Sequence, residues 1–499
     1  VENSGGATVE CIADSTWITF TDGTEVYSAR LEGNRGSTLS PGAGTLYFRS
    51  VVIPEGMQTG LYEATVRMRG TENGLPFESL FQPGDDIEVQ EPSQLAINSI
   101  TVLKAPAEIT ADQSPHWNVA VTAQNNGGAA VRLDSMRIRL FNGPTEVTGQ
   151  VLIDDSSFGW GSYELSGGES VNILITMADY PFNAMTTGTV VIEANLWGTE
   201  LVSSTVLEAT TESGGKGSYL VQSPAELLVT GVTASVETAT VLQTKDWTVR
   251  AVVRNDGESD IELNLDPDST DVTFSTANDF DVIYPTELRG GGIVLEGNAT
   301  DTLLFTIDRT GSVSGLCAVD AVVRGVEINS GRILPPVFPM APAEVQVQSE
   351  AALEIMSLTA LQDPVTIFQE RGWSIEMRVR NTGGSAVTLR PERLDSTWVD
   401  LPAGSDFFVI ENPLELEGGG LTLEGSAEGV LRFDVTTTDD IPPGRQVITG
   451  SIYAIEQNSD RPVWAVEDTS TSTDSVTFYE RLVPAYATGT LDPTVASSG

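Results

Sequence analysis

Lysine is nearly missing from this 499-residue chain: only Lys104, Lys216 and Lys245 are present, and all other basic residues are arginine. With 26 basic residues against 70 acidic ones the formal net charge is -44. That excess excludes nucleic acid and anionic membrane surfaces as partners, because phosphate and protein would repel. Counterions in a salty or calcium-containing exterior would screen the repulsion, so an extracellular, cell-surface location is expected. Histidine is scarcer still. The single His116, beside Trp117 at the start of an alternating stretch, cannot build a zinc cluster or a histidine-paired network and reads as a loop residue. The two cysteines, Cys11 and Cys317, fall at different positions of different repeats, which excludes a disulfide framework and leaves each as a small core residue. No apolar run approaches the ~18 residues of a membrane span, so no membrane insertion is expected in this chain. No secretory leader is recognisable either. The chain opens on Val1 rather than Met, which reads as a mature product or an internal piece.

What is present in quantity is short-strand chemistry. Apolar residues make up 40% of the chain, enough for cores, and they come in brief alternating runs with turn residues between them. Residues 373–383 give the pattern: Trp-Ser-Ile-Glu-Met-Arg-Val-Arg-Asn-Thr-Gly. Trp117, Trp247 and Trp373 each precede an asparagine, Asn125, Asn255 and Asn381, by eight residues. A fourth copy, Asn3-Ser4-Gly5, opens the chain without its Trp. The asparagines are spaced by 122, 130 and 126 residues, so the chain is a tandem repeat. Each Trp is expected to plug a core, and each Asn-x-Gly to form a hairpin turn needing positive φ.

Seven or eight alternating strands per repeat must bury one face each, which requires two sheets packed face to face. The predicted fold is all-β: tandem immunoglobulin-like sandwiches of about 126 residues in an elongated rod. The boundaries are 1–92 for a repeat lacking its first two strands, then 93–223, 224–350 and 351–481 for complete repeats. Residues 482–499 read as the first strand of a further repeat or as a donor strand. The reason is alignment: Val1-Glu-Asn-Ser-Gly-Gly-Ala-Thr-Val9 matches Val379-Arg-Asn-Thr-Gly-Gly-Ser-Ala-Val387, so the first repeat lacks its opening and Trp strands. Such a sandwich leaves backbone groups unpaired. The preferred expectation is a window on a longer polypeptide; the alternative is a head-to-tail filament subunit that exchanges β-strands.

Chemistry-bearing residues are few. Asp85-Asp86, Asp154-Asp155 and Asp439-Asp440 are acidic pairs with no repeated placement that would set two carboxylates across a cleft. The loop holding Asp266, Asp268 and Asp271 is the best local candidate for calcium, which needs six to eight oxygens; no other cofactor is expected. Phe158, Trp160 and Tyr163 form an aromatic, glycine-flanked loop in the second repeat alone, a candidate binding surface for a glycan or a neighbouring subunit. Trp464 reads as a strand residue, and Asn298-Ala299-Thr300 is a formal glycosylation acceptor. Catalysis is not expected.

The opening Leu353-Glu-Ile strand, the Trp373 strand, Asn381-Thr-Gly383 and the Gly-Gly-Gly turn before Leu421 together resemble the CARDB-type, adhesion-related modules of bacterial and archaeal surface proteins. The resemblance runs over nearly the whole chain. It implies a structural component of an extracellular stalk, fibre or filament, with copies of itself or neighbouring repeats as partners. An adhesin or carbohydrate- or protein-binding rod is the alternative it leaves open, with a glycan or cell-surface partner. It carries no catalytic residues to transfer.

Overall fold

The computed structural model describes residues 1–24, 26–32, 37–49, 53–54, 56–104, 107–111, 116–179, 185–211, 215–276, 279–367, 369, 371–401, 407–437, 441–468, 472–480 and 482. Asp439 and Asp440, and nearly all of the 482–499 tail, lie outside them. The chain divides into two compact units, Val1–Ser223 and Pro224–Gly499. Strands dominate both, and no helix among the described residues is long and apolar enough to cross a membrane.

The second repeat, in the first unit, shows how the alternation folds. Leu95–Val102, Trp117–Asn125, Ser170–Asp179 and Val151–Asp154 form a four-stranded antiparallel sheet in that order. In the Trp117–Asn125 strand every second residue, from Trp117 to Asn125, is buried, as a period of two demands. Against it lies a larger sheet built on Glu108–Thr110, Gly217–Gln222, Gly188–Glu200 and Val131–Asn142. Its first pair is parallel and the rest antiparallel. The two inner faces share one cluster of 25 buried apolar residues.

The second unit repeats the four-stranded sheet twice. The orders are Leu227–Ala234, Trp247–Asn255, Thr300–Arg309, Asp281–Ile283 and Leu353–Ala360, Trp373–Asn381, Glu428–Thr437, Phe408–Glu411. A register shift interrupts each opening strand at one place, between Ile97 and Ser99, Val229 and Gly231, and Ile355 and Ser357. The shift lets Ile100, Val232 and Leu358 turn inward after it. Clusters of 24 and 25 buried apolar residues fill these two repeats. The all-β, immunoglobulin-like sandwich class stands on these paired sheets.

The first repeat is built differently. One sheet carries Val26–Arg30, Trp17–Thr21, Gly60–Glu72, Val9–Cys11 and Thr38–Leu39, with Leu75–Phe81 and Ile87–Val89 also on the long strand. Among the described residues the counterpart of the four-stranded sheet is a two-residue pairing, Glu2–Asn3 with Gly42–Ala43. Among the described residues its core shows two separate clusters of four and three buried apolar residues. Cys11 sits in one of them and Cys317 in the third repeat's core; both are free and buried.

Candidate functional site

The recurring polar construction in this molecule lies where the chain enters each repeat. It is assembled around the motif asparagine. Asn125, Asn255 and Asn381 end their Trp strands and are fully buried. The expectation of a positive-φ turn is corrected here: neither the asparagines nor Gly127, Gly257 and Gly383 have positive φ. The side chain does the turn's work instead. In the second repeat Nδ2 donates to the carbonyls of Ala129 (2.7 Å) and Leu165 (3.3 Å), while Oδ1 accepts from the N–H of Gly127 (3.1 Å) and Gln94 (3.2 Å). Asn255 and Asn381 make the same four kinds of bond, accepting from Glu226 and Ala352, the residues just before their own opening strands, at 3.2 and 3.3 Å. One amide thus joins three segments distant in sequence and satisfies backbone groups that would otherwise be buried unpaired.

The glycine is needed for proximity. A Cβ on Gly127 would stand 2.0 Å from the Pro92 carbonyl oxygen; at Gly257 and Gly383 the same clash arises with Pro224 and Glu350. Any side chain would push the entering backbone off its seat.

A buried carboxylate completes the grip. Ser93 donates its N–H (2.7 Å) and its hydroxyl (2.5 Å) to Glu200. Ala225 and Ala351 donate their N–H to Glu327 (2.6 Å) and Glu456 (2.7 Å), and Ser330 and Ser459 add hydroxyl bonds to those carboxylates. Arg332 and Arg461 lie beside these glutamates and donate to the carbonyls of Ala225 and Ala351, so both polar groups of that alanine are held. For Glu200, burial raises the pKa but the bonds from Ser203 and Ser93 outweigh it, holding the carboxyl below its ordinary range. In each of these three repeats, then, two consecutive N–H groups of the incoming chain are gripped, the first by Glu and the second by Asn. The glutamates were not singled out from sequence. A signal existed: Glu-x-x-Ser recurs at Glu200, Glu327 and Glu456, 127 and 129 residues apart.

The other residues of interest fall as follows. Trp117, Trp247 and Trp373 are buried at 3–4% exposure, and Trp117 and Trp373 pack on last-strand rings of their repeats, Tyr219 (5.9 Å) and Phe478 (6.1 Å). Only the Trp247 indole N–H has a partner, Thr310, at 3.1 Å. Phe158, Trp160 and Tyr163 are gathered, with centroids 4.6 and 5.1 Å from Phe158 to the other two. Phe158 and Trp160 lean on the core, leaving Tyr163, at 38%, as the exposed ring. The structure does not bring Asp266, Asp268 and Asp271 together as a ligand set. Asp266 and Asp268 face solvent, while Asp271 accepts from its neighbour Val272 and from the Tyr284 hydroxyl (2.8 Å). Burial and that bond push Tyr284 up to about 12. Among the described residues no group of three or more His, Cys, Asp or Glu side chains could hold a metal ion. His116 is exposed, Trp464 is an exposed strand residue, and Asn298 is exposed in a turn with positive φ. Asp85 and Asp86 are exposed, and Asp154 precedes a turn.

Within the second unit the third and fourth repeats meet through Asn458. Its Nδ2 donates to Gln348 (2.8 Å), Ser385 (3.1 Å) and Thr240 (3.2 Å), and its Oδ1 accepts from Thr238 (3.1 Å). Lys245 and Asp460 pair nearby at 3.0 Å.

No family model matches the chain, the CARDB type included, and no curated protein matches it. Solved structures give distant likenesses. The cadherin-like domains 1 to 4 of zebrafish RET cover 96% of this chain and 97% of their own, at 10% identity and a TM-score of 0.24. The S-layer protein rSbsC(31–844) covers 96% of this chain and 53% of its own, at 12% identity and 0.21. Dpr2 Ig1–Ig2 in complex with DIP-Theta Ig1–Ig3 covers 77% and 100%, at 11% identity and 0.21. Scores this low carry no argument about function; the chain is a tandem array of immunoglobulin-like β domains on the strength of its own sheets.

Proposed function

We propose that this chain is a structural spacer of an extracellular surface stalk, fibre or filament, acting without cofactor and without catalysis. Its partners on this reading are copies of itself or neighbouring repeats. The observation that carries the proposal is the grip on the incoming backbone, repeated in three sandwiches. In the third and fourth repeats both polar groups of Ala225 and Ala351 are bonded within the new sandwich. Only two residues separate those alanines from the preceding last-strand residues Gln222 and Gln348. A linker with so little slack transmits tension from one sandwich to the next instead of extending under it. The acidic, lysine-poor composition suits a saline exterior, where screening is available.

Single-molecule pulling on the 499-residue chain tests this. Three abrupt unfolding events of similar length are expected, each releasing on the order of 400 Å of chain at ~3.3–3.6 Å per residue. A smooth extension without discrete events would sink the spacer reading. So would turnover of a glycan by the purified chain.

A further inference from the structure

We propose that the outer face of the fourth repeat's five-stranded sheet is a binding site for a neutral saccharide. Strand pairing puts three aromatic residues on that face. The strand Thr449–Glu456 runs between Trp398–Asp400 on one side and Pro462–Glu467 on the other, Ser451 pairing with both Trp398 and Val466. Tyr453 lies directly opposite Trp464, and Trp398 stands diagonal to Tyr453. Alternation sends these rings outward, because the intervening Val399, Ile452, Ala454, Val463 and Ala465 pack in or against the core. Trp464 is 63% exposed, and Trp398 and Tyr453 are partly so. The Arg393 guanidinium stands 5.3 Å from the centroid of the Tyr453 ring.

The fold does not require these rings. Counted from the buried glutamates Glu200, Glu327 and Glu456, Tyr453 corresponds to Trp197 and Arg324, and Trp464 to Glu208 and Pro335. Trp398, paired with Ser451, corresponds to Arg137, paired with Asn195, and to Asp271, paired with Val322. The second and third repeats thus form the same strands with charged residues, one proline and a single aromatic at these places. The fourth alone carries three aromatics there. The Phe158 loop differs, because two of its three rings lean on the core.

Size and charge choose the occupant. Three strands ~4.8 Å apart and the six residues of Pro462–Glu467 at ~3.4 Å each give a face of about 10 Å by 17 Å, on the order of 200 Å². A stable protein partner needs about 800 Å² from each side. A short oligosaccharide covers the face. One side of a pyranose ring is a patch of C–H groups, whose positive charge suits the negative face of an indole or phenol ring. Ser451, Ile455, Pro462 and Val466, the outward positions among the rings, are uncharged in a chain with 70 acidic residues. At the border, Arg393 and Asp400 offer donors and acceptors to sugar hydroxyls. The net charge of -44 disfavours an acidic sugar. The inference goes beyond the spacer reading and does not depend on it, since a chain that carries no tension could still bind sugar here.

The test is retardation of the 499-residue chain in native gels containing hydroxyethylcellulose, laminarin, mannan or dextran. Retardation by at least one of them is expected. Trp464→Ala should weaken it about tenfold, the size of one stacked aromatic contact. The unfolding midpoint should not move, because that side chain is mostly in solvent. Trp464→Phe, which keeps a ring, should retain most of the retardation. Trp197→Ala, which removes the corresponding ring of the second repeat, should leave it unchanged. Mobility unaffected by all four polysaccharides, or retardation that Trp464→Ala leaves intact, overturns the proposal. Self-association of the chain that Trp464→Ala abolishes overturns the choice of occupant, in favour of a second copy.

Discussion

At the residue scale, the molecule depends on a few polar side chains placed inside apolar sandwiches. Asn381 is fully buried and bonds the backbone at Ser385, Leu423, Glu424, Gly383 and Ala352. Replacing it with Ala would leave several of those groups buried and unpaired. Asn381→Ala is expected to cost on the order of 3 kcal/mol, read as a drop in the denaturant midpoint of the fourth repeat. Glu200 makes a prediction about pH. Its folded pKa lies below the ordinary carboxylate value, so the charged form favours the folded state. Its contribution is complete above that ordinary value and is lost as pH falls through the lower, folded one. Acid unfolding of the second repeat should therefore become less steep over that window in Glu200→Gln, followed by tryptophan fluorescence against pH. Asn and Trp stood out in the sequence because they recur beside the same local pattern. Glu200, Glu327 and Glu456 are as regular, but their partners lie 107, 102 and 105 residues away, and no local pattern announces such a pairing.

At the scale of the element, the Trp strand is the shared part, and its three copies are not equal. Trp247 donates its indole N–H to Thr310, whereas Trp117 and Trp373 bury theirs without a partner. Phe fills most of the same apolar volume and has no N–H. Trp247→Phe should therefore cost more than Trp373→Phe, by about 1 kcal/mol in equilibrium unfolding. The glycine after each strand shows how a motif can be read correctly in position and wrongly in cause. Asn-x-Gly suggested left-handed backbone. The folded chain uses the glycine for its missing Cβ, 2.0 Å from a carbonyl of the entering segment. Local sequence cannot separate these uses, because one depends on φ and the other on a neighbour more than thirty residues upstream.

For the molecule as a whole, cooperativity between repeats is the property that matters to a spacer. In the second unit, Asn458 binds Thr238, Thr240 and Gln348 of the third repeat while holding Ser385 of its own. Asn458→Ala with Lys245→Ala, which also removes the pair with Asp460, should uncouple the two repeats. Calorimetry is expected to show one transition for this unit in the unaltered chain and two in the double variant, with each repeat's own core intact. Two transitions already present in the unaltered chain would show that the joint does not couple them.

By itself the sequence determined the sandwich class, the period of the repeat and the strands that face inward. Those follow from alternation and from turn chemistry, which act over a few residues. The tertiary structure alone decided what the repeated glycines and glutamates are for. Backbone amides 29 to 107 residues from their acceptors become partners only when the sheets close.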